Sequence, residues 1–134
     1  MLDEKRFEIL RSMGYSQKAI DLIQRKVHLG EMEDPTVVAK HQGKCGDIMI
    51  LYLKIEDDII KDATFEYVGC AGLHSAGAGL IEMIKGKSVD EVRDIQSTDI
   101  IQFLESLPVQ KYECAEIAAN TLHKALETQY SQTP

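Results

Sequence analysis

Apolar and polar positions alternate with two different periods along this chain, and the switches between them mark its elements. Asp3–Met13 and Ser16–Val27 carry helical spacing, with Ile20, Ile23 and Val27 in one stripe and Ser16 as N-cap. Gly30 to Pro35 breaks the pattern, and Asp34-Pro35 is turn chemistry. Val-rich Thr36–His41 reads as a short strand; Asp47–Ile55, apolar at both parities, reads as a central one. The acidic run Glu56-Asp57-Asp58 reverses the chain. In Ile59–Val68 the period is two: Ile59, Ala63, Phe65 and Tyr67 share one face, and Asp62, Thr64 and Glu66 the other.

Helical spacing returns at Gly72, where Leu73, Ala76, Leu80 and Ile84 fall on one side and Gly86 ends the run. Ser88 and Glu91 spell a capping box, and Thr98 opens a helix that ends near Leu107-Pro108. The last helix starts at Tyr112 or Glu113, with Cys114, Ile117, Ala118, Thr121, Leu122 and Ala125 as its inner stripe. The predicted fold is α+β: a small three-stranded antiparallel sheet packed against several helices on one face. A length of 134 residues predicts one domain, 1–134, with the helices of residues 1–30 as a mobile lead-in.

Composition narrows the function classes. The net charge is −7 with no basic cluster, Trp is absent and aromatic residues are few, so nucleic acid and anionic membrane are not expected partners. The longest apolar runs, such as Ile48–Leu53, are too short to cross a bilayer, and the charged N-terminus lacks a signal-peptide core. The expected location is the cytoplasm. There, Cys45, Cys70 and Cys114 stay reduced, and their spacing matches no zinc-finger pattern.

Each cysteine has two readings. Cys70 sits where the third strand hands over to a helix, a place where amides and the helix dipole favour a thiolate. The small residues that follow it, from Ala71 to Gly79, either leave room for a bulky visitor or let the helix pack tightly on the sheet. Cys114 begins the last helix, either as an exposed thiolate or as the head of the apolar stripe. Cys45 lies in a turn flanked by Gly43 and Gly46, next to Lys44 and two residues before the carboxylate of Asp47. If the fold gathers these element ends at one rim, three thiolates and one carboxylate make a four-ligand site for zinc or an iron–sulfur cluster.

CGDIM at 45–49, FEYVGCAG at 65–72, IKGKSVDE at 84–91 and LPVQKYEC at 107–114 resemble the NifU/IscU-type iron–sulfur cluster assembly scaffolds. The resemblance runs from Cys45 to the end of the last helix and is looser before it. It implies a carrier rather than an enzyme, on which a labile 2Fe–2S cluster is built from iron and from sulfur delivered as persulfide. It also implies as partners a cysteine desulfurase, an iron donor and apo iron–sulfur proteins. Carried over by position, Cys45, Asp47, Cys70 and Cys114 hold the metal, Cys114 accepts persulfide and Asp47 keeps the cluster labile.

Three positions depart from the family pattern. Glu113 stands where a histidine usually precedes the third cysteine. LPVQK replaces the LPPVK segment that meets a chaperone, which leaves that partner open. Ala71 and His74 replace a glycine and an apolar residue. Glu113 and His74 are therefore further ligand candidates, though a partly exposed helix histidine is the plainer reading of His74. The loss of the histidine also admits a zinc-bound sulfur acceptor resembling the SufU branch, although the insertion typical of that branch between the second and third cysteines is missing. A third reading, a cysteine-nucleophile enzyme using Cys70 with His74, needs the imidazole within hydrogen-bond reach of the thiolate.

Overall fold

A computed structural model describes residues 2–131 of the chain. In chain order the elements are α1 (Leu2–Met13), α2 (Gln17–Arg25), β1 (Val37–Gln42), β2 (Ile48–Glu56) and β3 (Ile59–Val68), followed by α3 (Ala71–Ile84), α4 (Val89–Val92), α5 (Ser97–Leu104), a single 3-10 turn (Val109–Lys111) and α6 (Tyr112–Ser131). This is the α+β layout the sequence predicts.

The strands form one antiparallel sheet in the order β1-β2-β3, with β2 central as its two-sided apolar pattern requires. Alternation sends Met49, Leu51 and Leu53 fully into the core, while Ile48, Ile50 and Tyr52 on the opposite face are only half-buried. One residue of β3 departs from the alternation read in the sequence. Ile60, not Ile59, is buried with Ala63 and Phe65, because Ile55 pairs with Ile60 while Lys54 pairs with Asp62. Lys61 is thus an extra residue in the ladder, and this bulge flips the parity below it. The free edge of β3 is covered in two places, by Gly30 N–H to the Phe65 carbonyl (2.9 Å) and by Gly86 N–H to the Ile60 carbonyl (2.8 Å).

Helix boundaries follow their caps. Ser16 accepts from the Ala19 N–H at 2.9 Å, and its hydroxyl donates to the Leu104 carbonyl, which ties the start of α2 to the end of α5. The Ser88–Glu91 box opens α4 as expected. α5 starts before the predicted Thr98, because the Asp99 carboxylate accepts the Gln96 N–H at 2.8 Å. It also stops at Leu104, short of Leu107-Pro108, as Glu105 takes a positive φ of 77°.

α3 is where the expected pattern falls short. Instead of one buried face, Gly72 through Ile81 are all buried, because the helix lies between the sheet and helices α2, α5 and α6. Its small residues make this possible. A Cβ on Gly77 would lie 2.5 Å from the Phe65 ring, and one on Gly79 would lie 2.9 Å from Leu104. Along most of α3, then, the small residues permit close packing and do not hold open a space for a visitor. The inner stripe of α6 (Cys114, Ile117, Ala118, Thr121, Leu122 and Ala125) is buried as read. In the N-terminal stretch, α1 contributes Leu10 and α2 contributes Ala19, Ile20, Leu22 and Ile23 to the same core. Among the described residues no helix is long and apolar enough to cross a membrane.

Candidate metal centre

The register of the sheet builds one end of the site. Ile48 pairs with Val68, so Asp47 and Gly69, one step beyond each strand end, face each other. A Cβ on Gly69 would lie 2.7 Å from the Asp47 carboxylate, so this carboxylate rests on bare backbone. Cys70 follows as the residue capping α3. From the other side, the 3-10 turn after Pro108 delivers the first turn of α6, and Cys114 reaches over Gly72.

The result is a compact donor group: one atom each from Asp47, Cys70 and Cys114, all within 4.8 Å of one another. The two sulfurs are 3.6 Å apart. Cys45 is not in this group; it sits exposed at the β1–β2 turn, which Gly46 closes with a φ of 93° and an N–H bond to the Gly43 carbonyl at 3.0 Å. Three of the four predicted donors are therefore together, with the fourth on the adjoining turn.

The thiols are unequal. Cys70 is half-buried and its pKa falls to about 5, first because Cys114 donates a hydrogen bond to it. No side-chain capping bond closes at this helix start, yet the Leu73 and Gly72 N–H groups and the Lys111 charge add to the fall, while burial opposes it. Cys114 moves the opposite way. Its hydrogen bond to Cys70, then burial, then the Cys70 charge raise it. The pair thus holds one proton, on Cys114. Of the two readings of Cys114, an exposed thiolate is corrected here: the residue heads the apolar stripe, is 4% exposed, and its pKa is raised.

A measurable consequence concerns metal-free protein. Alkylation at Cys70 should stay nearly constant between about pH 6 and pH 8, whereas an ordinary thiol gains roughly tenfold per unit below its pKa. Lowering the pH through about 5 should then protonate Cys70 and switch the reaction off. Peptide mass mapping of timed iodoacetamide reactions reads both, and a rate at Cys70 that climbs steadily from pH 6 to 8 would refute the assignment.

Glu113 and His74 lie outside the donor group. Glu113 turns towards Gly43, with Oε1 3.5 Å from where a Cβ there would stand, and lines a groove of about 530 Å³ with His41 and Glu116. His74 is 3% exposed, not the partly exposed residue its helix position suggests, because all of α3 is enclosed. Its ring packs 5.1 Å from Tyr67 and 6.1 Å from Phe65, and among the described residues Nε2 has no hydrogen-bond partner. Burial first, then Arg6 and Lys26, lower its pKa and keep it neutral. An imidazole placed this way forms no pair with the Cys70 thiolate, and the cysteine-nucleophile reading loses its base. The other two histidines are tied elsewhere, His28 to Glu82 at 2.6 Å and His123 to the Ile95 carbonyl at 2.8 Å.

Two groups at the site stand outside the set of candidate donors read from the sequence. Lys111 packs its Cβ 3.2 Å from the position of a Gly72 Cβ and lowers both thiol pKa values, and Tyr15 brings its hydroxyl to 3.1 Å from that position. Tyr15 is 4% exposed, and burial first, then the neighbouring Cys70 charge, push its phenol upward. Lys111 ends the LPVQK segment and Tyr15 sits in no motif, and only the folded chain brings either of them to the cysteines.

Comparison with known proteins agrees with this geometry. The NifU-like N terminal domain matches residues 14–134. The iron–sulfur cluster assembly scaffold protein IscU of Escherichia coli is 36% identical over 119 residues, covering 85% of this chain and 92% of its own. IscU 1 of Archaeoglobus fulgidus is 34% identical over 113 residues, with 84% and 74% coverage. Among solved structures, an iron–sulfur cluster assembly scaffold protein for the SUF system from Fervidobacterium islandicum superposes with a TM-score of 0.68 at 26% identity, covering 84% of this chain and 96% of that one. A NifU-like N-terminal structure from Brucella abortus shares the fold at a TM-score of 0.70 and 17% identity, with 88% and 95% coverage. With nearly the whole chain matched, and a carboxylate and two thiols gathered at one end of the sheet, the protein belongs to the NifU-like N-terminal domain family.

Proposed function

We propose that this protein is a scaffold on which a labile iron–sulfur cluster is assembled and then passed on, a carrier and not an enzyme. The observation that carries the reading is the Asp47–Cys70–Cys114 group, with donor atoms within 4.8 Å of one another in a chain of this family. Two soft sulfurs suit iron, zinc and sulfide-bridged iron, and one harder oxygen is the more exchangeable donor. In this reading Cys45 completes the set when its glycine-flanked turn swings inward, and Glu113 and His74 do not ligate.

Sulfur arrives as persulfide from a cysteine desulfurase and is accepted on Cys114; iron comes from a donor, and apo iron–sulfur proteins take the 2Fe–2S product. A cytoplasm that keeps the free thiols reduced is the compartment that fits. Sequence likeness to IscU scaffolds supports the cluster, and Val109, exposed in the middle of LPVQK, leaves a chaperone contact accessible.

A zinc-bound sulfur acceptor is the second reading, favoured by Glu113 in place of an imidazole and by the likeness to the SUF-system scaffold. Purified protein with one zinc and strong stimulation of a desulfurase supports it over the first.

The test of the scaffold is anaerobic incubation with ferrous iron and sulfide. A coloured, chelator-labile species should form, and Asp47→Ala should slow its loss by removing the exchangeable oxygen. Gly69→Ala, whose methyl displaces the same carboxylate, should act in the same direction. A colourless product that retains no iron sinks the scaffold reading; faster cluster loss in both variants sinks the role given to Asp47.

A further inference from the structure

We infer that the outer edge of β1 is a self-pairing surface, on which a second copy of this chain docks edge to edge and continues the sheet. The inference uses none of the metal donors and goes beyond the scaffold reading.

In the order β1-β2-β3, β1 has β2 on one side, and among the described residues no strand lies on the other. The turn sets which of its groups are left over. Gly43 N–H bonds to the Asp47 carbonyl at 2.9 Å, so the odd residues of β1 bond to β2. Val38, Lys40 and Gln42 therefore present their N–H and C=O groups outward. The Lys124 ammonium reaches the Lys40 carbonyl from that side, at 3.5 Å. All three outward residues are exposed. The edge of β3 is covered by the chain's own segments, whereas this ladder is open, and an open ladder is a template for another strand.

What selects a second copy is α6. The helix packs along β1 and runs against it, with Glu113 and Ile117 beside Gly43 and Lys124 beside Lys40. Glu116, Asn120 and Lys124 are exposed at successive turns of α6, and Asn120 lines one groove with His41. Two β1 strands joined antiparallel are related by a twofold axis, which lays their α6 helices side by side and antiparallel. With the axis at His41 and Asn120, Glu116 of each copy meets Lys124 of the other. The ladder agrees with this register. Lys40 then pairs with Gln42, and Val38 with Lys44, so no like charges are opposed. Moving the axis by one residue would set Lys40 against Lys40 or against Lys44. The paired edge ends at the turn that carries Cys45, the donor outside the metal group.

The test is sedimentation equilibrium of the full, metal-free chain across the micromolar range, with a reductant that prevents disulfides at Cys45. The mass should rise with concentration from that of the monomer to twice that value. Glu116→Lys and Lys124→Glu should each weaken association at least about tenfold, because each sets like charges opposite one another twice across the axis. The double variant Glu116→Lys/Lys124→Glu should regain wild-type association, since it rebuilds both pairs with their signs exchanged. Gln42→Pro should also weaken it, by deleting an outward N–H that the single chain leaves unused; proline is tolerated on such an edge. Melting temperatures of the dilute variants should stay at the wild-type value, and if Gln42→Pro does not fold, the charge variants decide. A wild type that stays monomeric overturns the inference, and so does a dimer that both single reversals leave intact or that the double variant fails to restore. None of these results touches the scaffold reading, which stands or falls on metal binding.

Discussion

Replacing Cys70 with serine should abolish tight metal binding while leaving the fold intact. Cys70 is the residue capping α3 and makes no side-chain capping bond. Serine is a preferred residue at that position, because its oxygen accepts the N–H groups of the first turn. The metal-free variant should therefore melt at the wild-type temperature or slightly above it. Metal affinity moves the other way: the soft thiolate, set at about pKa 5 for ligation, becomes a hard hydroxyl that stays protonated. Loss of such a donor exceeds the roughly 10–100-fold cost of losing an outer partner. Competition for Zn²⁺ with a chromophoric chelator gives the affinity, and the rise in melting temperature on adding Zn²⁺ should vanish with it. Affinity retained within a factor of about three would place the metal elsewhere on the molecule.

The largest effect on stability is expected at Phe65, and it changes the sign of a second substitution. Phe65 is fully buried under α3, so Phe65→Ala should cost about 3–5 kcal/mol. Gly77→Ala balances two terms. Removing a helix-interior glycine gains about 1 kcal/mol, but the new Cβ would stand 2.5 and 2.7 Å from ring carbons of Phe65. That ring is held by Tyr67 and His74 at 6.0 and 6.1 Å, so it cannot swing aside, and overpacking of about 1–3 kcal/mol wins. Gly77→Ala alone should thus lower stability by about 1–2 kcal/mol. In the Phe65→Ala background the clash is gone and the methyl fills part of the void, so the same change should raise stability. Urea denaturation of the four proteins measures the cycle, and additive losses would mean that the contact at Gly77 relaxes at no cost.

These two sites differ in how far they could be read beforehand. Cys70 was visible as a thiol at a strand-to-helix joint because local chemistry names it: an apolar strand ends, small residues follow and a helix begins. The small residues after it were ambiguous. Whether a glycine leaves a gap or admits a neighbour depends on what lies opposite, and the Phe65 ring is a dozen residues away in sequence but in contact in space. The burial of His74 escapes a local reading for a related reason. Helical periodicity reports one buried face, and α3 is covered from several directions.

Read locally, the chain yields most of its elements and a set of candidate donors placed at element ends. Strand alternation, caps and turn residues act within a few positions, so their signals are written locally. The tertiary structure decided which donors meet, that Cys70 and Cys114 share a proton, and that Tyr15 and Lys111 join them. Those outcomes depend on sheet register and on how α6 crosses Gly72, both set by packing between segments far apart in the chain. One Cβ at residue 69 or 72 would crowd the Asp47 carboxylate or the Cys114 sulfur, and no local pattern records that.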